Sequence, residues 1–78
     1  MFNQRLRSFR LRRGFTQQSM ADQLHISLNA YQKYEQGERS PSLDTLRKIA
    51  DILAVPTDLL LGRDQFLQSL GVPVDEYL

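Results

Sequence analysis

Residues 16–37 read TQQSMADQLHISLNAYQKYEQG and predict two short helices joined by a tight turn at residues 25–27. In the first helix, apolar side chains recur at helical spacing, which predicts a buried stripe of Met20, Ala21 and Leu24. The second helix, predicted over about 28–36, buries another apolar face: Ala30, Tyr31 and Tyr34. A helix, a turn and a second helix therefore form the centre of the chain.

The opposite face of the second helix differs in chemistry. Its side chains step by i, i+1, i+4, i+5 and i+8, which keeps them on one stripe. They are Leu28, Asn29, Gln32, Lys33 and Gln36. Amides, a cation and a methyl-rich side chain are the groups that contact base edges in a DNA major groove. The same pattern also fits an ordinary solvated face, with Leu28 at the rim of the core.

Composition and charge narrow the classes of function. The 78 residues fit one small domain without cysteine, and no apolar run approaches the length of about 20 residues that spans a membrane. Residues 1–40 carry seven basic and three acidic side chains (+4), whereas residues 41–78 carry three and six (−3). One basic half suits a polyanion, although it also fits a solubilising face. We expect a soluble, intracellular protein with no metal site, no cofactor and no membrane contact.

The remaining segments are also predicted to be helical. Helix 1 runs from about residue 2 to 13 and ends at Gly14. Ser42 caps helix 4, and Pro56 opens a short helix 5 that ends near Gly62. Five helices and no strand candidate predict an all-α domain over residues 1–62. The extension over residues 63–78 is predicted to be helical too. Residues 70–78 match residues 53–61 at five positions, which fits either a repeated local plan or chance similarity.

Several motifs occur together in this frame: Thr16-Gln17 opening helix 2, Ala21 at the helix crossing, Glu35-x-Gly37 ending helix 3, and Pro41-Ser42-Leu43-x-x-Leu46 opening helix 4. With these motifs, residues 2–62 resemble the phage repressor/Cro-type (XRE-like) helix-turn-helix family. One position departs from the family pattern, because His25 stands in the turn where the family commonly has glycine. Histidine is among the residues that tolerate the positive φ such a turn requires.

Position and resemblance together give roles to particular side chains. From their place on the exposed face of helix 3, we expect base contacts from Leu28, Asn29, Gln32 and Lys33. Phosphate contacts are expected from two helix starts and from the end of helix 3 with its following loop: Gln17, Ser27, Gln36, Arg39 and Ser40. The family also pairs an arginine with a glutamate at the positions of Arg10 and Glu35, which implies a structural ion pair between helices 1 and 3.

The sequence thus predicts a DNA-binding transcriptional regulator, a repressor more readily than an activator, that binds double-stranded DNA as a homodimer. We therefore expect a cytoplasmic, nucleoid-associated protein. Apolar side chains from helix 5 onward are predicted to form the dimer interface: Leu59, Leu60, Phe66, Leu70, Val72 and Tyr77. Alternatively, the tail folds back on helices 1 and 5 of its own chain. The rival function is an antitoxin-like or anti-repressor module that binds protein. No nucleophile stands beside a base, which argues against an enzyme.

Overall fold

The computed structural model describes residues 1–77, and these residues form helices connected by short turns. The α-helices are α1 (Phe2–Arg12), α2 (Gln17–Leu24), α3 (Leu28–Gln36), α4 (Leu43–Leu53), α5 (Thr57–Leu60) and α6 (Asp64–Ser69), and a 3₁₀ turn follows at Val74–Tyr77. No strand occurs among residues 1–77. The predicted all-α class is confirmed. The sixth helix belongs to the predicted extension, whose last residue, Leu78, lies outside the described residues.

Side-chain caps begin the three central helices. The hydroxyl oxygen of Thr16 accepts a hydrogen bond from the backbone N–H of Ser19 (3.0 Å), which starts α2. Ser27 caps α3 in the same way, and Ser42 caps α4. Each cap satisfies a backbone donor that lacks a partner within its helix, and a cap of this kind stabilises a helix by about 1 kcal/mol. The turns on both sides of α3 are therefore defined by local chemistry.

Two helices end at residues with positive φ that are not glycine. His25 has φ 57° at the end of α2, and Ala54 has φ 57° at the end of α4. The left-handed conformation at His25 turns the chain from α2 into α3, at the position where the sequence departs from the family pattern. The backbone N–H of Ile26 then donates to the carbonyl of Ala21 (3.0 Å), which closes the turn.

One apolar core joins all six helices. Met20 of α2, Tyr31 of α3 and Leu53 of α4 are fully buried in it. Leu6 and Phe9 of α1 pack onto the same cluster. Ala21 is completely buried, as expected where two helices approach closely. The core holds α3 by one face only and leaves its other face outward.

The tail packs against its own chain, which corrects part of the predicted dimer interface. Leu59 and Leu60 have no exposed surface, because α5 inserts both into the core, so neither is available to a second copy. Leu67 of α6 and Val74 of the 3₁₀ turn are also buried in this core. Val72 and Tyr77 are half-buried against it. These residues therefore pack against their own chain, as in the alternative in which the tail folds back.

An ion pair fastens the tail to the N-terminal helix. Arg5 of α1 donates to both carboxylate oxygens of Asp64 at the start of α6, at 2.8 and 3.2 Å. The same guanidinium donates to the backbone carbonyl of Leu59 (2.9 Å). Arg5 thus links α1, α5 and α6. No helix within residues 1–77 is long and apolar enough to cross a membrane.

Candidate nucleic-acid interface

The outer face of α3 remains accessible to solvent. Asn29 and Gln36 are exposed, and Leu28, Gln32 and Lys33 are half-buried. Tyr31 and Tyr34 are buried on the opposite side, with their rings edge to face and their centroids 6.5 Å apart. Leu28 lies outside the core cluster. The structure therefore brings the four predicted base-contacting side chains onto one open face.

Most predicted phosphate contacts lie at the ends of this helix. Ser27 is exposed at its N-terminus, and Gln36, Arg39 and Ser40 are exposed at its C-terminal end and in the loop that follows. The Ser27 oxygen accepts from the N–H of Ala30 (3.0 Å), which leaves its hydroxyl hydrogen for an outside acceptor. These groups flank the open face on both sides, as phosphates flank a groove.

Arg10 and Glu35 form a two-pronged ion pair between α1 and α3. Nε of Arg10 donates to Oε2 of Glu35 at 2.6 Å, and Nη2 donates to Oε1 at 3.1 Å. The side chains are only 9% and 4% exposed. Nη1 of Arg10 also donates to the backbone carbonyl of Phe15 (3.0 Å). The structure therefore brings together the residues that the resemblance pairs.

Tyr31 adds a hydrogen bond that the sequence-based prediction missed. Its hydroxyl donates to Oε2 of Glu35, although the apolar pattern had assigned Tyr31 to the core alone. The spacing of four residues between Tyr31 and Glu35 on one helix was the available signal. Burial, followed by this hydrogen bond, raises the pKa of Tyr31.

Glu35 is ionised in this setting. Burial by itself would raise the pKa of its carboxyl, but hydrogen bonds from Arg10, Tyr31 and Gln17 outweigh burial and hold the pKa below its ordinary value. The hydrogen bond to Glu35 raises the pKa of Arg10 in turn. A charged carboxylate with three side-chain donors is thus fixed directly behind the open face of α3.

Gln17, which was predicted to contact a phosphate, has its side-chain amide hydrogen-bonded to two other side chains. It is half-buried at the first position of α2. Its Nε2 donates to Oε1 of Glu35 (3.2 Å), and its Oε1 accepts from Nε2 of Gln32 (3.2 Å). The sequence contained no sign of this link, because Gln17 and Gln32 belong to different helices.

Among residues 1–77, no three His, Cys, Asp or Glu side chains lie close enough together to hold a metal ion. The arrangement instead offers hydrogen-bond donors and acceptors on a helix face, with cationic side chains nearby. Such a surface can bind a partner through hydrogen bonds and charge.

Comparison with known proteins identifies the domain. The helix-turn-helix family model matches residues 6–60, from the middle of α1 to the end of α5. Over 61 residues, 78% of this chain, the sequence is 49% identical to the SPbeta prophage-derived uncharacterized HTH-type transcriptional regulator YonR of Bacillus subtilis strain 168, of which it covers 56%. Over an alignment of 90 residues that includes the whole chain, it is 36% identical to the cryptic phage CTXphi transcriptional repressor RstR of Vibrio cholerae, of which it covers 81%.

A third relative is the HTH-type transcriptional regulator ImmR of Bacillus subtilis strain 168, which is 41% identical over 78% of this chain. The chain spans about half the length of YonR and ImmR, 56% and 48% respectively. No solved structure shows a significant match to the chain. These relatives are named as regulators, and the prediction that the chain is not an enzyme is confirmed by its family.

Proposed function

Since the chain belongs to the helix-turn-helix family, we propose that it is a sequence-specific DNA-binding transcriptional regulator that places α3 in the major groove. The observation that carries the proposal is the open face of α3, which presents Asn29, Gln32 and Lys33 side by side. An Asn or Gln amide can pair with two atoms of adenine, and Lys can donate to guanine. The core packs against the other side of α3, through Tyr31 and Tyr34, and so keeps this face turned outward.

Phosphate contacts would set the register of α3 on DNA. Ser27 lies at the N-terminus of α3, and Arg39 and Ser40 lie just beyond its C-terminus. Groups at both ends of a recognition helix can bind the phosphates on either side of the groove without reading sequence. The excess of basic side chains in residues 1–40 favours approach to the same polyanion.

The names of the relatives support a regulatory role. RstR is named a phage transcriptional repressor, and we propose repression for this chain as well, by occupation of an operator on cytoplasmic, nucleoid DNA. The rival role, a protein-binding module, would need a mostly apolar or acidic α3 face. On the face of five side chains defined above, only Leu28 is apolar and none is acidic.

We further propose a homodimer on a two-fold operator, using the part of the tail that stays open. Phe66 and Leu70 are 42% and 63% exposed and are four residues apart on α6 and its end. Sedimentation at high micromolar concentration should show dimers for the parent chain and mainly monomers for Leu70→Ser. The interface is refuted if the two proteins have the same dissociation constant for dimerisation.

Base readers and phosphate contacts should respond differently to mutation. We expect Asn29→Ala and Lys33→Ala each to weaken specific binding by about 1–3 kcal/mol and to relax the preference at one base pair, because a paired base edge loses its partner. Arg39→Ala is the matched comparison. It should weaken binding to specific and unrelated duplexes alike. It should also reduce the slope of log affinity against log salt concentration by about one, the value for one lost phosphate contact.

Fluorescence anisotropy titrations of labelled duplexes over a range of salt concentrations measure both effects. If Asn29→Ala and Lys33→Ala leave the affinity for the preferred duplex unchanged, α3 does not read bases. If none of the three variants changes affinity for any duplex, the open face of α3 has another partner, and the protein-binding alternative is favoured.

A further inference from the structure

A chain of hydrogen bonds connects the buried ion pair to the open face of α3. It runs from Arg10 to Glu35, from Glu35 to Gln17, and from Gln17 to Gln32. Gln17 is the only member on α2, and both polar ends of its amide are engaged. Its position at the helix start puts it between the core carboxylate and a predicted base reader.

The negative charge of Glu35 determines which group donates in each of these hydrogen bonds. An ionised carboxylate only accepts hydrogen bonds, so Gln17 must turn its NH₂ group toward Glu35. Its carbonyl oxygen then faces the other way, where only a donor is satisfied. Gln32 supplies that donor with Nε2, at 3.2 Å. The orientation of two neutral amides therefore follows from one buried negative charge.

The direction of the Gln32 amide decides what it offers to DNA. With one N–H donated to Gln17, Gln32 keeps a second N–H and its carbonyl oxygen, and the residue is only half-buried. A donor and an acceptor side by side match N7 and the N6 amino group of adenine. Rotated by half a turn, the amide would direct its oxygen toward Gln17, and it would present two donors instead, which suit the acceptors of guanine.

We propose that Gln17 is a positioning residue for sequence recognition, which fixes the amide of Gln32 so that Gln32 selects adenine. This inference rests on the proposed function, because it requires α3 to lie in the major groove. It assigns Gln17 a role in specificity beyond the phosphate contact expected from the sequence. Gln17 acts through Gln32 and need not touch a base.

Selection of bound duplexes from a random DNA pool tests the proposal, using the parent chain, Gln32→Leu, Gln17→Met and Gln18→Met. Gln32→Leu identifies the base pair that Gln32 reads. Gln17→Met keeps the length of the side chain but removes both amide hydrogen bonds. We expect it to reduce the preference for adenine at that same base pair by about fivefold or more, with the preferences at other base pairs retained.

Gln18→Met is the matched control, because Gln18 is the exposed neighbour on α2 and its amide donates to Asp22 (2.8 Å), away from α3. It should retain the parent preference. The proposal is overturned if Gln17→Met lowers affinity for all sequences equally, or if Gln32→Leu changes no base pair. Failure of the parent chain to enrich any sequence would instead refute the proposed function, and thermal melting of each variant checks that it is folded.

Discussion

Replacing Glu35 with alanine is expected to lower the free energy of unfolding by about 3–5 kcal/mol, because it leaves the guanidinium of Arg10 buried without its counter-charge. The Arg10 side chain is only 9% exposed, so bulk water screens its unpaired charge only weakly. The hydroxyl of Tyr31 and the amide of Gln17 lose the same partner. For a domain of this size, each kcal/mol lowers Tm by about 4–8 °C, so thermal melting followed by circular dichroism shows the effect directly.

Replacing Arg10, Tyr31 and Glu35 together with apolar residues is the matched control. Arg10→Met with Glu35→Leu removes both charges, and Tyr31→Phe removes the hydroxyl that would otherwise lack its acceptor. The triple variant should recover much of the stability lost in Glu35→Ala, since well-packed apolar groups can replace a buried ion pair. If Glu35→Ala melts within about 2 °C of the parent chain, a shift well below the effect of 1 kcal/mol, the ion pair does not stabilise the fold.

The Arg10–Glu35 ion pair should also make the free energy of unfolding fall at acid pH. Because the pKa of folded Glu35 lies below its ordinary value of 4.5, its stabilising contribution is complete above that value and declines as the pH falls through the folded pKa. The Glu35→Ala variant lacks this contribution at every pH. The difference in stability between parent and variant should therefore shrink in acid.

Ending the chain at Gly62 is expected to lower the free energy of unfolding by about 3–6 kcal/mol, from the loss of two buried apolar side chains at about 1.5–3 kcal/mol each. These side chains are Leu67 and Val74, which are 4% exposed each. Truncation also removes Asp64, the partner of Arg5. Urea denaturation of the two chains measures the difference.

Single substitutions in α6 separate the effect of lost apolar packing from the effect of a shorter chain. Leu67→Ala should destabilise by about 2–5 kcal/mol. Gln68→Ala, at an exposed side chain on the same helix, should change stability by less than about 0.5 kcal/mol. Equal stability of the full and shortened chains would show that α6 is not part of the folding unit.

Much of the fold was predictable because its signals are local. The caps Thr16, Ser27 and Ser42 and the spacing of apolar side chains set the boundaries of α2, α3 and α4 to within a residue or two. Helical periodicity also separated Tyr31 and Tyr34 from the polar face of α3. These features depend on residues within one turn of each other, and so a single sequence contains them.

Long-range contacts were not predictable in the same way. The apolar content of the tail indicated burial but not the partner, and Leu59 and Leu60 proved to be buried within the chain rather than between copies. The hydrogen bonds from Gln17 to Glu35 and Gln32 join residues that are 18 and 15 positions apart. Such pairs depend on how α2 crosses α3, which the pattern of each helix alone does not specify.

The ratio of two dissociation constants tests sequence-specific DNA binding most directly. The duplex enriched from a random pool and a shuffled duplex of the same composition are titrated with the full chain at about 0.15 M salt, where nonspecific attraction is partly screened. Specific reading by α3 predicts binding to the enriched duplex that is tighter by about 10³-fold or more. Equal affinity for the two duplexes would contradict it.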